Sequence, residues 1–160
     1  MDEAEGAMNI KNYTSGISVE STINRIEAKL AAAGVTGINK LYGPDKKVSA
    51  LVFSIELNSR PNPLQIKVPA NAQACYEAMW KNHCQHHSLQ LEAAKIRIRD
   101  QAHRTAWKLV QDWIEVQISM ILMKQAEFIE VFLPYVWDGK QTYFEAVKGG
   151  GFKALPENCN

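Results

Sequence analysis

"TGINKLYGPDKKVSALVFSIELNSRPNPLQIKVPA", Thr36 to Ala70, decides the fold, because its apolar residues recur with a period of two. Within Val48–Leu57, Leu51, Phe53, Ile55 and Leu57 share one face, and Ser54 and Glu56 share the other. That alternation is the mark of a half-buried strand. "LQIKVPA" repeats it, with Leu64, Ile66 and Val68 against Gln65 and Lys67. "TGINKLY" is the candidate first strand. "GPDKK" reads as a turn, with φ fixed by Pro44 and a tight bend suited to Asp45. "NSRPNP" reads as a loop. Three sequential strands with short connections predict an antiparallel meander with one wet face.

On both sides of this stretch the period is helical. "SVESTINRIEAKLAAAGV" begins at Ser18, a suitable N-cap, and carries Ile23, Ile26 and Leu30 on one stripe. Gly34 stands where such a helix ends in a left-handed residue. Asn71 is placed to cap "AQACYEAMWKN", after which "HCQHHS" reads as a polar interhelical loop. The longest helical pattern runs from Ser88 to Lys124. Its first apolar stripe is Leu91, Ala94, Ile98 and Ala102, continued by Leu109, Trp113, Val116 and Met120. Trp107, Val110, Ile114, Ile118 and Ile121 form a second stripe, which predicts a sandwiched helix or a homo-oligomer interface. "AEFIEVFLPYVW" reads as a short helix ending near Pro134, and "QTYFEAVK" as a last strand or a helical turn. The expected fold is one α+β domain over residues 13–147: a three-stranded antiparallel sheet, an N-terminal helix, a long central helix and shorter flanking helices. Residues 1–12 and 148–160 are expected to be a mobile N-terminal and a flexible C-terminal tail.

Composition narrows the function classes. The chain has 160 residues, 46% hydrophobic and 22% charged, which suits one ordinary core. No apolar run is long enough for a membrane span, and the acidic opening "MDEAEGAMNIK" lacks the pattern of a secretory signal. Three irregularly spaced cysteines (Cys75, Cys84, Cys159) argue against a disulfide scaffold and for a reducing cytoplasm. The net charge of +1 is unevenly spread: residues 40–108 hold eleven Lys/Arg against five Asp/Glu, while both flanking segments are acidic. A basic middle is either an anion-binding surface or an internal complement to the acidic ends.

"NHCQHH" groups His83, Cys84, His86 and His87, all capable of binding metal, with Cys75 nearby. A structural zinc site takes two spaced ligand pairs from separate elements, and these residues crowd into one stretch. No metal or cofactor is therefore expected. Cysteine–histidine catalysis lacks an orienting third group and oxyanion donors, and no phosphate-cradling glycine loop is present. Asp112 and Glu115 read as a solvated helix edge. The basic run Lys95, Arg97, Arg99, Arg104 and Lys108, with Lys46, Lys47, Arg60 and Lys67 of the strand region, is the candidate phosphate-tracking surface. The competing reading pairs Arg104 and Lys108 along the helix with Asp100, Asp112 and Glu115. Trp107 and Trp113 follow the apolar stripes and read as core residues rather than base-stacking platforms.

"RTAWKLVQDWIEVQISMI" and "EVFLPYVWDGKQTYFE" resemble the C-terminal part of a group of small, uncharacterised bacteriophage and prophage proteins. "NYTSGISVESTINRIEAKLAAAG", "INKLYGPDKKVSALVFSIE" and "IKVPAN" resemble its N-terminal half, so the likeness covers roughly residues 9–147. The resemblance implies a phage or mobile-element protein acting in the host cytoplasm, and it implies no active site. The function expected first is a non-catalytic accessory that binds DNA or RNA through the basic surface of residues 40–108. The second is a phage inhibitor that binds a host or defence protein by surface complementarity; a host or phage protein is accordingly an expected partner. The third is a small metal-dependent enzyme.

Overall fold

The computed structural model describes residues 10–87 and 91–156. Residues 1–9 and 157–160 of the expected tails, and Ser88 at the expected start of the long helix, lie outside the described residues. The elements in chain order are α1 (Val19–Ala32), β1 (Gly37–Tyr42), β2 (Val48–Ile55), β3 (Leu64–Pro69), α2 (Ala72–His86), α3 (Glu92–Leu122), α4 (Phe128–Phe132) and α5 (Tyr143–Gly149). This is an α+β fold with a three-stranded antiparallel sheet in the order β1-β2-β3. By its contacts the chain divides into two compact units. One is formed by Met1–Lys29 and Ala70–Val116, the other by Leu30–Pro69 and Gln117–Asn160.

The second unit contains the sheet. Register pairs Phe53 with Ile38 on β1 and with Ile66 on β3, so these three side chains share a face. Phe128 and Phe132 of α4 meet Phe53 edge-on, with centroids 6.3 and 5.4 Å away, and so cover that face with aromatic carbon. The expected wet face is not wet along β2: Ala50 and Val52, which alternate with Leu51 and Phe53, are buried as well. On β3 the alternation holds, Leu64, Ile66 and Val68 being buried. The β1–β2 turn places Lys46 at φ 60°, and the Asp45 carboxylate accepts from the Lys47 N–H at 3.0 Å. Beyond β3, the Trp137 N–H donates to the Gln65 carbonyl at 2.8 Å, which closes part of that sheet edge. "QTYFEAVK" is helical, because Thr142 caps α5 and Glu145 completes a capping box with it.

Gly34 does end α1. It sits at φ 91°, with the Val35 N–H on the Leu30 carbonyl and the Gly34 N–H on the Ala31 carbonyl. The end of α3 has the same hydrogen-bond pattern with Lys124 in the left-handed position, at φ 57°.

The first unit is helical. "NHCQHH" is not a loop: α2 continues through His86, with His87 as its C-cap. The reason is a ladder of rings on one side of α2. Tyr76 stacks on Trp80, Trp80 on His83 and His83 on His87, at centroid distances of 6.3, 5.3 and 4.5 Å. Spacings of four, three and four residues keep these rings in one row only if the chain stays helical. Histidines in the last turn also suit the negative end of the helix dipole. Met79, Ile98 and Ala102 form a buried cluster, with Cys75, Tyr76 and Trp80 packed against it. On α3 the second apolar stripe is the buried one, with Trp107 and Ile114 fully enclosed and Ile118 2% exposed. Its continued first stripe is less enclosed: Val116 is exposed, and Leu109, Trp113 and Met120 are half-buried. No helix among the described residues is long and apolar enough to cross a membrane.

Candidate functional site

The basic run of α3 separates into side chains with internal partners and one without. Lys95 pairs with Glu92 at 2.8 Å and lies over the Trp80 ring, 5.8 Å from its centroid. Arg99 lies over Tyr76 at 5.0 Å. These two cations face the ring ladder of α2 at a distance typical of cation–π contact. The pairing of Tyr76 with Arg99 and of Trp80 with Lys95 also shows that α2 and α3 run antiparallel there.

Arg104 donates to the Gln101 side-chain oxygen at 2.6 Å and to the Ser15 carbonyl at 3.3 Å. Gln101 in turn donates to the carbonyls of Tyr13 and Ser15, at 2.9 and 3.0 Å. The buried Thr105 hydroxyl donates to the Asn12 carbonyl at 3.1 Å. Lys108 pairs with Asp112 at 3.1 Å, and the same carboxylate takes Lys11 at 2.7 Å and the Asn12 amide at 2.9 Å. Partial burial pushes the Asp112 carboxyl up, but hydrogen bonds from Lys11, Asn12 and Lys108 override that and hold it at about 2. Residues 11–15 are thus pinned along α3 by the cations and amides that the charge pattern offered to phosphates. Asn12, at φ 65°, is a residue that tolerates the left-handed turn this path needs.

Arg97 is the exception. It is exposed, and among the described residues its side chain makes no hydrogen bond or ion pair. It stands on the wall of a cavity of about 490 Å³. Met79 and Ile98, both nearly fully buried, form the apolar floor. His83, His86 and His87 come from the last turn of α2, and Tyr13 and Thr14 from the pinned segment. Asn82 and Gln101 complete the lining, so among the described residues no carboxylate lines it. Thr14, Asn82 and His86, like Arg97, have side chains without a hydrogen-bond partner among the described residues. The Nε2 of His83 is enclosed and has no hydrogen bond there either. Arg97, Thr14 and His86 are exposed, so the His83 Nε2 is the buried polar atom of the lining, the kind of group that a folded protein ordinarily answers.

The remaining predicted contacts lie in the sheet unit. Lys46 is exposed in the β1–β2 turn, Lys47 follows it, and Arg60 is exposed in the loop before β3. Lys67 lies over the Trp137 ring at 5.5 Å. Arg60 and Trp137 line a second cavity, of about 430 Å³, but the Asp138 carboxylate lines it too. Its charge is therefore mixed, unlike that of the cavity at Arg97.

Metal chemistry finds no centre: among the described residues no group of three His, Cys, Asp or Glu side chains is placed to hold an ion. Cys75 is half-buried and its thiol is pushed up by that burial, the opposite of what a thiolate nucleophile needs. Sequence reasoning considered the histidines as metal ligands and passed over Tyr13, Thr14 and Asn82 as site residues. The only sequence signal for the recess was the row Tyr76, Trp80, His83, His87, which places the histidines on a helix. No known protein family, curated protein sequence or solved structure significantly matches this chain.

Proposed function

We propose that the protein is a non-catalytic accessory of a phage or mobile element, which engages nucleic acid in the host cytoplasm through the cavity at Arg97. One observation carries this reading: the cavity offers a guanidinium with no partner among the described residues, three imidazoles and two further polar side chains, and among the described residues no carboxylate lines it. Such a wall attracts an anion, and the phosphodiester is the anion that a basic, aromatic-bearing recess suits. The contact set is narrower than residues 40–108. In the helical unit Arg97 does the phosphate work, while Lys95, Arg99, Arg104 and Lys108 are structural. Lys46, Lys47, Arg60 and Lys67 belong to the sheet unit and form no part of this site.

Binding of a labelled single-stranded oligonucleotide, measured across a salt series, tests the reading. Affinity should fall steeply with salt, in proportion to the phosphates neutralised. Binding that ignores salt, or no binding at low salt, contradicts it. A second reading, a protein-binding inhibitor, draws on a different observation. Around α5, Tyr143, Phe144, Phe152 and Leu155 are all about half exposed, an apolar group that suits a protein partner. It predicts that Phe144→Ser abolishes co-purification of one partner after nuclease treatment and leaves oligonucleotide binding unchanged. Loss of neither property removes that reading.

A further inference from the structure

We infer that the cavity at Arg97 takes one nucleotide with its base inside, the ring against the imidazoles and the phosphate at the guanidinium. This rests on the cavity being the anion-binding site proposed above, and it names the ligand that fills it. Charge alone would fit any small anion, but the rest of the lining would be wasted on one. The floor is apolar, made by Met79 and Ile98, both within 9% of complete burial. A bare phosphate or a carboxylate placed over such a floor loses hydration without recovering it.

The wall supplies what a planar ring requires. The stack that begins at Tyr76 ends with His83 and His87, 4.5 Å apart and inclined by 27°, and His87 is exposed. A flat heterocycle can continue that stack, because any base presents a π-face to an imidazole. Asn82 is the unengaged amide of the recess, and an amide can meet a base edge with both a donor and an acceptor. Arg97 is the unengaged cation, and its forked donors match phosphate oxygens. The volume of about 490 Å³ accommodates one such ligand. Cavities for small ligands run from about 300 to 1,000 Å³. The same chemistry comes from two sources, a free mononucleotide or one nucleotide of a single strand.

The test is a calorimetric titration of the full chain with a 5′-mononucleotide, its nucleoside and inorganic phosphate, followed by displacement of the bound mononucleotide with a single-stranded oligonucleotide. The mononucleotide should bind one to one, at least tenfold more tightly than either fragment. Arg97→Glu should weaken it at least tenfold and leave the nucleoside unaffected. His87→Ala should weaken mononucleotide and nucleoside alike. Lys81→Ala, an equally exposed basic residue of α2 outside the cavity, should change nothing. Displacement by the oligonucleotide assigns the source to a strand, and its absence assigns it to the free nucleotide. Inorganic phosphate binding as tightly as the mononucleotide overturns the base-in arrangement and spares the anion site. Oligonucleotide binding with no mononucleotide binding overturns this inference and spares the nucleic-acid reading. No binding of any ligand overturns both.

Discussion

Two regions of the helical unit use the same kinds of side chain to opposite ends. Where residues 11–15 lie along α3, four of its side chains meet acceptors: Arg104, Gln101 and Thr105 meet main-chain carbonyls, and Lys108 meets Asp112. One turn earlier, at the cavity, the side chains of Arg97, Thr14, Asn82 and His86 have no hydrogen-bond partner among the described residues. Main-chain carbonyls and a shared carboxylate make the first region part of the fold. Their absence among the described residues is the ground on which we propose the second as a place for a ligand. Residue type does not separate a structural cation from a functional one; the supply of acceptors does.

The comparison can be broken hardest at Ile98, which belongs both to the buried cluster with Met79 and Ala102 and to the cavity floor. Ile98→Ala should cost about 2–3 kcal/mol in denaturant unfolding, since it removes buried methylenes and leaves a void. It should also weaken nucleotide binding. A cost below about 1 kcal/mol would mean that the floor is not packed as described.

Arg104→Ala tests the pinned region. It leaves the Gln101 oxygen and the Ser15 carbonyl short of a charged donor, and should cost about 2 kcal/mol. Limited proteolysis should then cut within residues 10–15. Unchanged stability and protection would return Arg104 to the pool of free cations.

Asp112→Asn is smaller, about 1 kcal/mol, because the carboxylate is only partly enclosed. Its diagnostic is pH. The folded carboxyl titrates at about 2 against an ordinary 3.8, so its contribution is whole above 3.8 and is lost as pH falls toward about 2. The variant should lack that acid-side loss when wild type and variant are unfolded in urea across this range. Parallel stability curves would show that Lys11, Asn12 and Lys108 do not hold Asp112 down.

Arg97→Glu should have the least effect on stability, within about 0.5 kcal/mol, as expected of an exposed side chain with nothing to lose. A substantial loss of stability would place Arg97 with the structural cations.

Much of the fold was legible because short-range rules decide it. The period of two in Val48–Leu57 marked β2, the stripe of Ile23, Ile26 and Leu30 marked α1, and Gly34 marked its end. The burial of Ala50 and Val52 was not legible, since the cover of a second sheet face comes from distant segments. The histidines misled because polar residues after a helical run resemble a loop, while the ring spacing that continues α2 is visible only when Tyr76 and Trp80 are counted with them. The basic run was legible as a run but not as a function. The pairing of Lys108 with Asp112 follows from their i, i+4 spacing, but the rings under Lys95 and Arg99 and the Ser15 carbonyl that takes Arg104 are far away in sequence, and a carbonyl carries no residue signature. The cavity depends on that same long-range placement of Tyr13 and Thr14, so only Arg97 and the histidines could have been suspected beforehand.

The salt dependence of single-stranded oligonucleotide binding, compared between wild type and Arg97→Glu, tests the central claim most directly. The wild type should bind with a steep negative slope of log affinity against log salt. The variant should bind at least tenfold more weakly, with a slope shallower by about one phosphate contact. Equal affinity and equal slope in the two proteins would contradict the assignment of Arg97 as the free cation of α3 that meets phosphate.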